Sequence, residues 1–348
     1  MMRKLLLFSC ALIFMAYTSA DTSRGEKSKT INKTFEVDKN DIISIKNSFG
    51  QVHVTTWDES NVAVEIEVSV ESRSDSRLQQ LLDDISVEFD EQSDGIYMRT
   101  NLDVNTRSYE DFEVNYTVKL PGENKLDVKN EHGDIYMDDR SGEVDVDLSY
   151  GDLKAGKLAA GGELKLAFVN ADIKGFGKGQ IVLKHVNSFS LDEAEDIVLD
   201  QQHSEIEIGS VSIIDMRSRH GEVEFGTVGE MDVNIQHTDF VIESLEKSLD
   251  MFARHASDFS IDNVSENFEF IDIEGNYGSY RIDLDDGLKA DFQADFQYAT
   301  MKALGVDIDY SLHSKEQNKE SYEAKIGGGH ASKRIRITST YGDLRLTQ

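Results

Sequence analysis

Cysteine, proline and tryptophan are nearly absent: the 348 residues include one of each, Cys10, Pro121 and Trp57. Cys10 lies within the apolar run Leu5 to Tyr17, which follows Met1-Met2-Arg3-Lys4 and precedes Thr18-Ser19-Ala20. Basic, apolar and small residues in that order read as a secretory signal over 1–20, cleaved after Ala20. A lipoprotein signal on Leu7-Phe8-Ser9-Cys10 fits less well, because the cysteine would sit in the middle of the greasy stretch. With Cys10 removed, the mature chain has no disulfide and no thiol chemistry, so packing and backbone hydrogen bonds must hold it together. Long apolar runs are missing after residue 20, which excludes a transmembrane span in the mature chain. Basic residues are few, 36 Lys and Arg against 66 Asp and Glu, for a net charge of -30, or -32 once Arg3 and Lys4 leave. Such a field repels nucleic acid and anionic lipid, attracts divalent cations and basic partners, and favours solubility. No phosphate-binding glycine loop, nucleophile elbow or metalloprotease motif occurs. Motifs therefore assign no catalytic, cofactor-binding or metal residue, and no cofactor is implied.

What is present is a repeat. Two apolar residues flank one of any type, and six residues after the first comes an aromatic, His or Asn anchor, then a small residue and usually an acid. It reads Leu126-Asp127-Val128 with His132-Gly133-Asp134, Val144 with Tyr150-Gly151-Asp152, and Leu164 with Asn170-Ala171-Asp172. It returns at Ile197 with His203-Ser204-Glu205, Ile214 with His220-Gly221-Glu222, Met231 with His237-Thr238-Asp239 and Leu249 with His255-Ala256. Degenerate copies are anchored on Tyr277 and Tyr298, and outlying ones on Phe49 and Tyr341. With Asn187 as a weak member, the anchors step by 16 to 22 residues between His132 and Tyr298. This is the spacing of a solenoid whose coils bury their apolar faces only on their neighbours.

The expected fold is all-β, a single-chain β-solenoid with an N-terminal strand-rich cap containing one short helix. After the signal, 21–33 is polar and aperiodic and reads as a flexible leader. The cap covers 34–121: period-two stretches such as Val62 to Val70 mark strands, while Leu78, Leu81, Leu82 and Ile85 fall at helical spacing behind Ser74 or Asp75 as N-cap. Repeats fill 122–306. The last segment, 307–348, is read as a polar loop over Ser314 to Ser321 followed by a strand pair, Ile335 to Leu346, that closes the open end.

The signal, the N-terminal strands with Asn47-Ser48-Phe49-Gly50-Gln51-Val52 and Trp57-Asp58, the repeated Gly-acid-apolar turns and the ending Ile326-Gly327-Gly328-Gly329 to Tyr341-Gly342-Asp343-Leu344-Arg345-Leu346 resemble the bacterial "putative adhesin" family. The resemblance covers roughly Thr34 to Gln348 and rests on the order of short motifs. It implies an envelope-associated β-solenoid of largely unassigned function, and it carries over no catalytic residue. This chain departs from the pattern in placing His at the anchor and in lacking the following Gly in several repeats.

Stacked coils would set His203, His220, His237 and His255 in one column and Glu205, Glu222 and Asp239 in another, at about 4.8 Å. Three readings follow: a zinc or other divalent cation bridging coils, a column titrating near neutral pH, or a packing ladder with the acids splayed into solvent. Tyr fills the same slot in other coils and cannot replace a zinc ligand, which favours the ladder. The acidic turns Asp138-Asp139-Arg140-Ser141-Gly142 and Asp283-Leu284-Asp285-Asp286-Gly287 lack calcium-loop spacing. The expected function is a non-enzymatic exported envelope protein, adhesin-like or structural, in the periplasm, on the outer membrane surface or outside the cell. Its partner would be a glycan, a surface polymer or an envelope protein. The alternatives are a periplasmic scaffold or sensory partner, and a polysaccharide-active β-helix enzyme using Glu222 and Asp239.

Overall fold

The computed structural model describes residues 25–102, 111–256, 258–330 and 332–348. The secretory signal expected over 1–20 lies outside the described residues. Inward side chains stack in register from coil to coil: Val146 on Val128, Leu199 on Ile181, Ile273 on Met251 and Ile337 on Ile273, all at most 3% exposed. Each buried Val, Leu or Ile contributes about 1.5–3 kcal/mol, so the inward columns carry the stability that no disulfide supplies. Parallel pairing continues through the corners of successive coils, so β10 (Val144–Lys184) and β11 (Ser188–Arg254) each run through more than one turn of the solenoid.

The N-terminal cap contains β1 (Gly25–Glu36), β2 (Ile42–Phe49), β3 (Val52–Trp57), β4 (Asn61–Ser72), α1 (Asp75–Asp84), β5 (Ile85–Gln92), β6 (Gly95–Leu102) and β7 (Asp111–Pro121). β8 (Lys125–His132) and β9 (Ile135–Met137) begin the coils. β2 lies parallel between β6 and β8, and β3 parallel between β7 and β9. Antiparallel β4 then covers β7, β1 covers β4, and β5 covers β6. The helix appears where its spacing placed it, with Leu78, Leu81 and Leu82 buried. Lys29 Nζ donates to the carbonyls of Leu82 and Ile85, satisfying acceptors at the helix C-terminus with a cation suited to that pole.

The C-terminal end comprises β12 (Phe259–Val264), β13 (Phe270–Asn276), β14 (Ser279–Leu284), β15 (Ala290–Gln297), β16 (Met301–Leu304), β17 (Ile308–Glu316), β18 (Lys319–Ile326), β19 (Arg334–Thr340) and β20 (Asp343–Thr347). β19 inserts between β13 and β15, and β20 between β14 and β16. Antiparallel β18 lies on the outer edge of β15, and β17 covers β18.

Four expectations need correction. The leader read over 21–33 is from Gly25 onward a strand, paired with β4 from Gly25 on Ser72 to Glu36 on Asn61. It is an edge strand whose inward face carries only Ile31 and Phe35 as apolar residues, sharing that face with the exposed Lys27 and Lys33, so backbone bonds hold it where the apolar alternation is incomplete. The loop read at Ser314 to Ser321 is a hairpin turning at Gln317, which takes φ +48°. Its period is hidden because the inward slot at 320 holds a glutamate, bonded by His313 at 3.0 Å. The strand pair Ile335 to Leu346 does not close the end: it lies one coil inside, and the β17–β18 hairpin caps the sheet. The last correction concerns the anchors themselves.

Candidate functional site

Beyond the first two levels the anchors share one backbone requirement. Tyr150, His203, His220, His237, His255, Tyr277, Tyr298 and Tyr341 all adopt φ between +53° and +58°, the left-handed region. Phe168 (φ +57°) and His185 (φ +52°) do the same, whereas Asn170 and Asn187 do not. The anchors of those two coils are therefore Phe168 and His185, two residues before the expected ones. The cause is visible in the sequence once the register is known: the apolar slot six residues before each true anchor holds Gly162 and Gly179. The left-handed turn throws the ring outward at a corner of the coil. In the first two levels the turn is made instead by the glycine after the anchor, Gly50 at φ +108° and Gly133 at φ +132°.

The result is one column of twelve rings: Phe49, His132, Tyr150, Phe168, His185, His203, His220, His237, His255, Tyr277, Tyr341 and Tyr298. Successive centroids lie 4.6 to 5.1 Å apart and successive planes within 17° of parallel. The last two levels are out of chain order because β19 is inserted between β13 and β15. The column is exposed: Tyr150 and Tyr277 keep 52% of their surface in water and Phe168 47%. Ring faces are covered by neighbours, so solvent meets ring edges, a row of Tyr hydroxyls and imidazole nitrogens.

Behind this corner runs a buried polar chain that the sequence reading missed. Gln201 Nε2 donates to Ser218 Oγ, which lies 2.9 Å from Thr238 Oγ1. Gln201 Oε1 accepts from the Ser204 amide at 3.1 Å, and Ser204 Oγ accepts from the Val186 amide at 3.2 Å. These groups satisfy amides that the turn points inward, where an open donor would cost about 1–3 kcal/mol. Polar residues at otherwise apolar inward positions were the available signal.

The expected His column is thus assembled, extended by His185 and His132. Glu205, Glu222 and Asp239 stand exposed two residues beyond their anchors. In lower coils the equivalent groups are tied together: Asp134 Oδ1 accepts from the Asp152 amide and Asp152 Oδ1 from Asn170 Nδ2, both at 2.9 Å. On the other flank His185, His203, His220, His237 and His255 follow Lys184, Gln202, Arg219, Gln236 and Arg254, so cations and amides alternate along that stretch of the column. Among the described residues no three His, Cys, Asp or Glu side chains converge to hold a metal. Parallel stacking is the reason within the column: an ion in the plane of one imidazole lies about 5 Å from the plane of the next, beyond a zinc–nitrogen bond of about 2 Å.

The left-handed requirement yields a prediction. Replacing His220 by Val is expected to lower stability by about 1–2 kcal/mol, since a β-branched residue resists this region. Asn, which tolerates it, should cost less at the same site. Urea titrations of the two variants in parallel measure the difference, and equal losses would show that ring stacking rather than backbone strain governs the position.

The family described as Toastrack DUF4097 matches residues 40–347. No curated protein matches the sequence. Among solved structures, a "putative lipid binding protein" from Parabacteroides distasonis is 10% identical, with 92% of this chain and 97% of that one covered and a TM-score of 0.35. A "putative adhesin" from Parabacteroides merdae is 12% identical, covering 73% and 96%, with a TM-score of 0.30. A "putative cell adhesion protein" from Clostridium sporogenes is 11% identical, covering 92% and 100%, with a TM-score of 0.24.

Proposed function

The chain belongs to the Toastrack DUF4097 family, and from that premise we propose that it is a non-enzymatic, exported envelope module that binds along the outer corner of its solenoid. The observation that carries this reading is the ring column, which presents a ring edge about every 5 Å over twelve levels, ten of them a Tyr or His that can hydrogen-bond. Such a surface suits an extended partner with its own short repeat: a glycan, a surface polymer or a strand-rich envelope protein. A compact substrate would use only a fraction of it. The acids beside the column are repeat-equivalent and exposed, so no difference in surroundings separates a catalytic acid from a base. No helix among the described residues is long and apolar enough to cross a membrane.

Protease shaving of intact source cells tests the outward-facing form of the proposal. Peptides between Leu126 and Gly287 should be released while a periplasmic control stays whole. Release only after the outer membrane is permeabilised would assign the column to a periplasmic partner, as in a scaffold or sensory role.

A further inference from the structure

The lone tryptophan, the lone proline and the acidic turn after Met137 play no part in the ring column, yet they meet. Trp57 ends β3 opposite Pro121 in the β3–β7 register, and Ser141 follows the turn on the next level. Together they border a cavity of about 450 Å³ at the end of β3 remote from Phe49. Its volume lies within the range of small-ligand sites.

The cavity has three chemical parts. Trp57 is half-buried and its Nε1 donates to the Asn61 carbonyl at 2.9 Å, which pins the indole and leaves its ring as an apolar wall. Asp58 and Glu59 are exposed at the rim and form no ion pair among the described residues. Lys39 and Glu123 pair at 2.8 Å, also on the lining. Beneath them Asn124 is 1% exposed and donates to the carbonyls of Asp38 and Asp41 at 2.8 and 2.9 Å. Its backbone carbonyl accepts from Arg140 Nη2 at 2.7 Å, so the floor is fixed from below.

We propose that this cavity is a saccharide subsite for one pyranose unit, neutral or amino-bearing and not acidic. A pinned indole offers the flat apolar face that the C–H side of a sugar ring packs against. Unpaired carboxylates are the acceptors that adjacent sugar hydroxyls bridge, and such charge-assisted bonds are roughly twice as strong as neutral ones. Three carboxylates against Lys39, in a chain of net charge -30, repel a uronic or sulfated sugar. The inference rests on the proposed envelope binding module, with a glycan as its partner, but uses none of the ring column. Shaving can therefore fail while the cavity binds, and the cavity can stay inert while the coils are exposed.

Trp57 is the only tryptophan, so intrinsic indole emission of the full mature chain reports on the cavity directly. Glucose, N-acetylglucosamine, glucosamine, glucuronate and choline are titrated in turn. A saturable change is expected with at least one neutral or amino sugar and none with glucuronate. Asp58→Asn and Glu59→Gln, both at exposed positions, should each weaken it about tenfold, the loss of one charge-assisted hydrogen bond. Four results would overturn the proposal: flat emission with every sugar, an equal response to glucuronate, a response to choline and glucosamine but to no neutral sugar, or full binding retained in both variants. Circular dichroism of the variants checks that the fold is intact.

Discussion

Gly162→Ala is expected to destabilise the protein by about 2–5 kcal/mol, the sum of a left-handed backbone penalty and an overpacking cost. Gly162 takes φ +137°, and a Cβ there would stand 2.2 Å from the carbonyl oxygen of Val144 on the neighbouring coil. Neither term has an escape. The obstacle is backbone held in a hydrogen-bonded ladder, so it cannot swing aside as a side chain would. Gly287 supplies the control: it takes φ +79°, but no atom lies within 4 Å of its would-be Cβ. Gly287→Ala should cost about 1–2 kcal/mol, from the backbone term alone. Urea midpoints measure both, and hydrogen exchange locates the damage, which should centre on the coils from Val144 to Lys184. Equal losses in the two variants would mean that coil spacing relaxes around the new methyl, and the tight-stack account would fail.

That glycine also shows why the sequence was legible only in part. Inward columns, mostly of Val, Leu and Ile, six residues ahead of an anchor made the solenoid, its period and the positions of eight of its left-handed corners readable. Gly162 and Gly179 replace the leading apolar residue of two coils, and a frame shifted by two residues keeps every side chain on its original face. Alternation therefore fitted Asn170 as well as Phe168, and only the backbone turn separates them. The cap strands β1 and β17 were hidden for another reason. Edge strands rely on backbone bonds with solvent on one side, so few of their side chains are obliged to be apolar. The cavity was beyond reach: Trp57, Pro121 and Ser141 are 64 and 20 residues apart in sequence and are brought together by stacking alone.

Alkali should unfold this protein steeply, above all through its two most deeply buried tyrosines. Tyr116 is fully buried and Tyr280 1% exposed. Burial pushes each phenol from 10.0 up to about 12, against smaller opposing effects of Thr100 on Tyr116 and Ser339 on Tyr280. Unfolded tyrosines release their protons near pH 10.0 while the folded ones keep theirs to about 12, so across that window the unfolded state binds fewer protons and stability falls. Below pH 10.0 the contribution is fully present. Each tyrosine then accounts for about 2–3 kcal/mol, and the pair for about 5, comparable with the whole stability of many domains. Burial lowers the Arg140 guanidinium from its ordinary value, a shift of the opposite sign that would offset part of this loss. Tyr280→Phe separates the two, because Arg140 stays in place. The Tyr280 hydroxyl faces Ser339 without a well-formed hydrogen bond, so removing it should cost little or nothing near neutral pH. In alkali the variant should lose about 2–3 kcal/mol less than the parent chain. Urea titrations across the window, with tyrosinate absorbance followed in parallel, measure both quantities. Identical losses in parent and variant would place the alkaline weakness elsewhere, in the mutual repulsion of a chain already at -30.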